Sequence, residues 1–350
     1  VTETGLGHLI GKQFESLELP SGARTDVGFG LYLELTKKRG EMSLEGWRVS
    51  DAGLAHLKNQ SQLSDLCLRG TGVSDAGMVQ LAGLENLQEL DLSRTAVTGR
   101  GLSHLVGLSQ LGSLDLSESQ FDAVTQSRLH EFTGLRVLDL AGIPVVAGDL
   151  AVLAELVKLE RLTLDRIPLD DESLRPLGKL TQLEELSLRG TRISDEGLVH
   201  LQGLRNLQKL RLGKSPVSGS GLVYLKALGQ LQELDLQGAP VDDDAMRCLE
   251  SLSALERVDL AGTKVTDAGL EPLMKLPRLA DLRLDGTAVS NAGLAALSMS
   301  RSLRSISLRR TEVTAEGLTD LADMSDLQRL DLGHLPITDA ALVALSGLRD

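Results

Sequence analysis

Twelve leucines stand 24 residues apart, from Leu63, Leu87 and Leu111 through to Leu279, Leu303 and Leu327. A fixed period of this length means one supersecondary unit stacked on copies of itself, since a single unit cannot bury its apolar side alone. Similar units bury similar faces only by stacking in the same sense. A solenoid grows in one dimension, so 350 residues need not divide into two globular cores. The expectation is one domain over residues 1–350 with about 14 strands, counted at Leu17, Met42, Leu66 and their successors to Leu330. Val1 is not a natural start, and neither end carries a polar capping repeat, so the chain reads as a fragment of a longer protein.

The period resolves into positions. Leu66-Cys67-Leu68 and Leu90-Asp91-Leu92 alternate in and out as a strand does. Short strands of about three to five residues are expected, centred on the residue between the leucines. Next comes Gly-Thr, as in Gly70-Thr71, Gly190-Thr191 and Gly262-Thr263. The threonines Thr71, Thr95, Thr191, Thr263, Thr287 and Thr311 are expected to be buried, with each hydroxyl bonded to loop backbone. A β-branched anchor such as Val73 or Val265 precedes Ser74-Asp75 or Thr266-Asp267, an N-cap hydroxyl and a carboxylate for a positive helix end. Apolar triplets three apart, such as Leu102, Leu105, Leu108 and Leu270, Leu273, Leu276, predict a short helix and not a second strand.

Segments such as Thr266-Asp267-Ala268-Gly269-Leu270 resemble the leucine-rich repeat family, and within it bacterial members related to the ribonuclease-inhibitor-like and cysteine-containing classes. That resemblance covers nearly the whole chain. It implies an α/β leucine-rich repeat solenoid, a right-handed horseshoe with a parallel sheet on its concave face and short helices on its convex face. The cysteine-containing class includes substrate-recognition subunits of ubiquitin ligases. Where that class has a cysteine, this chain has Thr71, Thr95, Thr191, Thr263, Thr287 and Thr311.

Charge and composition narrow the function. A net charge of −13 disfavours non-specific binding to nucleic acid or anionic membrane, both of which reward cationic surfaces. No apolar run reaches the roughly 18 residues of a membrane span. Cys67 and Cys248 lie too far apart along a solenoid to pair, which favours a reducing, cytoplasmic setting unless upstream sequence carries a signal. His8, His56 and His104 recur every second repeat. Strands about 4.8 Å apart put them roughly 10 Å from one another, too far for ligands about 2 Å from one metal. No phosphate loop, metal spacing or nucleophile arrangement occurs, so no cofactor, metal or catalytic residue is assigned and no enzyme is expected.

Two charged groups remain as candidates for a partner. Asp91, Asp115 and Asp139 occupy the residue between the strand leucines in three adjacent repeats, flanked by Glu89 and Glu118. Such a row suits a basic partner. Arg283, Arg309, Arg310 and Arg329 form an opposite group that suits an acidic one, unless Asp281, Asp285 and Asp331 neutralise it. One repeat breaks the pattern, with Phe121 as its anchor and Gln126 where Leu102 stands in its neighbour, and Val146 replaces the cap in the next. The chain is therefore expected to be a non-catalytic scaffold that binds a protein or peptide on its concave face. A structural or assembly module that associates through uncapped ends is the alternative, and a subunit like the ubiquitin-ligase adaptors is a second.

Overall fold

The computed structural model describes residues 3–37, 40–120, 127–144, 149–339 and 345. Phe121, Gln126, Val146, Leu342 and Leu348 lie outside them. The chain divides into two compact units, residues 1–163 and 164–350. The first unit holds the parallel strands β1 (Glu41–Ser43), β2 (Asp65–Cys67), β3 (Glu89–Asp91), β4 (Ser113–Asp115), β5 (Val137–Asp139) and β6 (Arg161–Thr163), paired in chain order. The second holds β7 (Glu185–Ser187), β8 (Lys209–Arg211), β9 (Glu233–Asp235), β10 (Arg257–Asp259), β11 (Asp281–Arg283), β12 (Ser305–Ser307) and β13 (Arg329–Asp331), again parallel and in order. Every pair joins residues 24 apart, such as Leu66 to Leu90 and Leu210 to Leu234. The expected α/β repeat fold of parallel strands and short helices is what forms.

Two expectations about strands need correction. No strand forms around Leu17; the first is β1. The spacing from Leu17 to Met42 is 25 residues, one too many for the register that all other pairs share. The early chain instead pairs Phe14 with Thr36, at the end of the ten-residue helix Asp26–Leu35. The strands also centre on the first leucine of each pair, one residue earlier than expected. The amides of Ser93, Ser117, Ala141, Gln237 and Ala261 are each bonded by the carboxylate of the aspartate two residues before. In these repeats a carboxylate holds the turn that follows the strand; strands without an aspartate there, such as Glu185–Ser187 and Asp281–Arg283, end at the same position.

The core is a stack of leucine layers. Leu63, Leu87, Leu159, Leu183, Leu207, Leu231 and Leu255 are wholly buried, as are the anchors Val73, Ile193, Val241 and Val265. The triplets three apart explain the helices. Their period matches the three residues per turn of a 3-10 helix, which Asp171–Lys179 and Ser220–Ala227 adopt, better than the α period. Elsewhere short α turns form, four residues at Asp75–Met78, five at Leu270–Met274 and seven at Asn291–Leu297.

Thr71, Thr95, Thr191, Thr263 and Thr287 are buried, and Thr311 is half-buried. Each hydroxyl donates to the carbonyl three residues earlier, Thr263 Oγ1 to Leu260 O at 2.7 Å and Thr71 Oγ1 to Leu68 O at 2.6 Å. Ser215 does the same to Leu212 O at 2.6 Å. Replacing Thr263 by valine is expected to cost about 1 kcal/mol. The Leu260 carbonyl keeps the Thr263 N–H at 3.2 Å, so only one of its two donors is lost. Urea unfolding of the pair of proteins measures this.

A second ladder joins the repeats at the start of each helix. The Asp51 carboxylate accepts the Ser74 N–H at 2.7 Å on one oxygen and the Ser74 hydroxyl at 2.6 Å on the other. Asp75 holds Thr98 in this way, Asp171 holds Ser194, Asp243 holds Thr266 and Asp267 holds Ser290. The Thr-Asp of the repeat motif is thus more than a helix cap. Its hydroxyl caps its own helix and donates to the carboxylate of the preceding repeat, while its carboxylate reaches the next one.

Candidate functional site

The leucines and threonines are spent on the interior, and the solvent side of the strands carries variable chemistry. There the residue before each strand leucine and the residue after it alternate in identity from repeat to repeat. In the first unit they include Glu41, Asp65 and Glu89, then Cys67, Asp91, Asp115 and Asp139. In the second they include Glu185, Lys209, Glu233 and Arg257, then Arg211, Asp235, Asp259 and Arg283.

The expected acidic row exists as a row. Asp91 lies opposite Asp115, and Asp115 opposite Asp139, in the strand register. All three are half-buried, and one oxygen of each is committed to backbone: Ser93 N, Ser117 N and Ala141 N lie 2.8 Å from them. Aspartate at this position therefore shapes the turn as well as charging the surface, a structural role that spacing alone does not reveal. Glu89 is exposed on β3. Glu118 is not on a strand; it stands in the following turn with φ 54°, and pairs with Arg94 at 2.8 Å.

Burial, chiefly, pushes the Asp115 carboxyl above its usual 3.8; the bonds from Ser117 oppose this, the neighbouring Asp91 adds to it and Arg69 relieves it. An acid whose folded pKa is raised binds its proton more tightly when folded. Its contribution to stability falls as pH rises from the unfolded value through the folded one, and the penalty is complete at neutral pH. Asp115→Asn keeps an oxygen for the Ser117 N–H and removes the charge. It is expected to raise the melting temperature at pH 7, with the gain fading as pH falls below the ordinary carboxylate range. Thermal melts of parent and variant at neutral and acid pH check the sign.

Two of the four arginines meet carboxylates within the second unit. Arg283 pairs with Asp259 at 3.7 Å and Arg309 with Asp331 at 3.2 Å. Arg310 occupies a turn with φ 56°, and Arg329 is exposed on β13. The Asp331 neutraliser is among those the sequence suggests; Asp259 is not. Asp285 does something different, accepting the Arg309 N–H at 2.9 Å.

Spacing also misses a pair that only side-chain reach creates. Arg189 Nε donates to Asp235 Oδ2 at 2.5 Å, although 46 residues separate them. The Asp235 side chain is 3% exposed. A Cβ at Gly213, in the repeat between the two residues, would lie 3.2 Å from Asp235 Oδ1. A signal for this arginine was present in the sequence at a longer period. Leu68-Arg69-Gly70-Thr71, Leu188-Arg189-Gly190-Thr191 and Leu308-Arg309-Arg310-Thr311 recur every 120 residues, or five repeats. Around the second of them Arg211 meets Glu233 at 3.0 Å and Glu185 at 4.0 Å, Lys209 meets Glu185 at 2.6 Å, and Arg257 meets Glu233 at 3.7 Å. Arg69, the first, has a buried Nε with no hydrogen-bond partner.

Cys67 and Cys248 are free thiols. Burial raises the Cys67 pKa most, followed by a lowering backbone bond from Arg69 and a raising effect of Asp91. Among the described residues no helix is long and apolar enough to cross a membrane.

Comparison with known proteins fits this architecture. A family described as a leucine-rich repeat region matches residues 110–348, and a leucine-rich repeat motif matches residues 83–106. No curated protein matches. Among solved structures, an internalin of Listeria monocytogenes superposes with a TM-score of 0.67 at 21% identity, over 95% of this chain and 89% of the internalin. A leucine-rich repeat protein of Leptospira interrogans superposes with a TM-score of 0.65 at 18% identity, over 99% and 91%. At such identities the likeness is one of fold.

Proposed function

Because the chain belongs to the leucine-rich repeat family, we propose that it is a non-catalytic scaffold that recognises a protein or peptide on the solvent side of its strands. One observation carries this reading: the repeats are uniform where side chains are buried and differ from one another on the strand face. A surface that served only to keep the solenoid soluble would have no reason to place a carboxylate row in one stretch and a lattice of ion pairs in another. The docking residues of this reading are Glu89, Asp91, Asp115, Glu118 and Asp139 in the first unit, with Arg283, Arg309, Arg310 and Arg329 in the second. We read the Thr-Asp-Ala-Gly-Leu signature as that of a bacterial subtype of the family.

Charged recognition of this kind depends on salt, because exposed charges are screened within about 8 Å at physiological ionic strength. The test is capture of partners from the source organism by the parent chain and by two matched variants. One neutralises Glu89, Asp91 and Asp115; the other neutralises Arg283, Arg309 and Arg329. A partner that is held at low salt and lost from either variant supports docking on the strand face. A partner held equally by all three proteins removes the strand face from the account.

A further inference from the structure

The two units dispose of the charge on their strand faces in different ways. In the second unit acids and bases alternate across neighbouring strands and meet: Glu185, Lys209, Glu233, Arg211 and Arg257 are linked by ion pairs. In the first unit the corresponding column runs Glu41, Asp65, Glu89 and is followed by Asp91 and Asp115 in the next. Among the described residues none of these five carboxylates has an ion pair. Parallel strands about 4.8 Å apart bring such like charges close enough to repel. Arg69 stands beside the group and makes no hydrogen bond to it with its buried Nε, whereas Arg189, its counterpart 120 residues on, binds Asp235. The same framework is thus closed on itself in the second unit and left open in the first.

The open carboxylates surround a hollow of about 410 Å³ lined by residues of β1 to β4. Its floor is not purely polar. Met42 and Cys67 are half-buried there, between Glu41, Asp65 and Asp91. A lysine or arginine side chain matches that combination, because its aliphatic stem lies on apolar atoms while its charged head seeks carboxylates. We propose that this hollow receives the basic side chains of an extended segment of another protein, stems over Met42 and Cys67 and heads among Glu41, Asp65, Glu89, Asp91 and Asp115. The proposal deepens the strand-face reading and rests on it; what it adds is the unit that binds and the sign of the partner. Burial, chiefly, raises the Asp115 pKa and the neighbouring Asp91 adds to it; an arriving cation offsets both.

The experiment uses the whole chain and a fluorescent short peptide alternating lysine and alanine, with a glutamate–alanine peptide as the control of opposite sign. Anisotropy is read at low and high salt. The first-unit variant is Glu89→Gln with Asp91→Asn and Asp115→Asn, whose asparagine oxygens can still accept the Ser93 and Ser117 amides, so the turns are kept; circular dichroism checks that they are. The second-unit variant is Glu185→Gln with Glu233→Gln and Asp281→Asn, an equal change in charge. The lysine peptide is expected to bind the parent at low salt, about tenfold or more weakly in the first-unit variant, and within about twofold of the parent in the second-unit variant. Failure of the lysine peptide to bind at low salt overturns the proposal. So does equal weakening by both variants, which reports net charge alone, or equal binding of the glutamate peptide. A natural partner lost only from the second-unit variant would leave strand-face recognition standing and overturn the basic segment.

Discussion

Arg189→Ala is expected to destabilise the second unit by about 2–3 kcal/mol, far more than the loss of an ordinary surface arginine. The Asp235 side chain is 3% exposed and would be left with its charge and only the Gln237 N–H, at 2.8 Å, to stabilise it. Removing one member of a buried pair costs more than the pair itself contributes, because the remaining charge stays desolvated. The estimate sits below the full range for buried pairs since the arginine is 45% exposed and part of the field is screened. Two further variants make the expectation specific. Asp235→Asn in the Arg189→Ala background should recover most of the loss, since the amide keeps an acceptor for Gln237. Arg69→Ala, at the equivalent position of the first unit, should cost under about 1 kcal/mol, because the buried Nε of Arg69 has no bond to lose. Urea unfolding of the four proteins decides this, and a cost at Arg69 equal to that at Arg189 would contradict it.

Gly293→Ala is expected to destabilise the protein by about 1–3 kcal/mol. The residue lies in the helix Asn291–Leu297, where alanine is intrinsically better than glycine by about 1 kcal/mol, so propensity alone predicts a gain. A Cβ at Gly293 would stand 2.4 Å from Asp267 Oδ1, 2.7 Å from Val289 Cγ1 and 2.9 Å from Leu270 Cδ1. The aspartate cannot simply move away, because its two oxygens hold the Ser290 N–H at 2.8 Å and the Ser290 hydroxyl at 2.6 Å. The alanine must therefore break the inter-repeat bonds, displace packed methyl groups, or both. A long repeat array need not unfold in one step. Hydrogen exchange resolved along the chain is the better measurement, with loss of protection centred on the repeats either side of Ser290. Unchanged or increased protection there would show that the glycine is not what lets the carboxylate reach.

Much of this molecule was legible in the 24-residue spacing. Leucines at fixed intervals determine parallel stacking, because units of one pattern can cover one another's apolar faces only in register. The buried threonines followed from the same logic, since a hydroxyl inside such a stack must find an acceptor, and the carbonyl three residues earlier is within its own turn. The triplets three apart likewise encoded the tight helices. The missing strand at Leu17 shows the limit of counting: one additional residue removes the register although the local leucine pattern survives.

The candidate site was legible as a set of residues and not as a set of relations. The sequence places Asp91, Asp115 and Asp139 on one face, and Arg283 and Arg309 on the corresponding face of the second unit, because strand alternation decides which way side chains point. It does not say that each aspartate is half committed to a backbone amide, or that Arg283 and Arg309 are already paired. Nor does it say that Arg189 spans two repeats to bond Asp235 while the buried Nε of Arg69 makes no hydrogen bond. Those outcomes depend on the reach of flexible side chains, on the space that Gly213 leaves open, and on burial, which sets the cost of a charge without a partner. Periodicity is a property of the backbone and its apolar contacts and is written in the chain; the pairing of charges is a three-dimensional competition, and only the folded structure decides it.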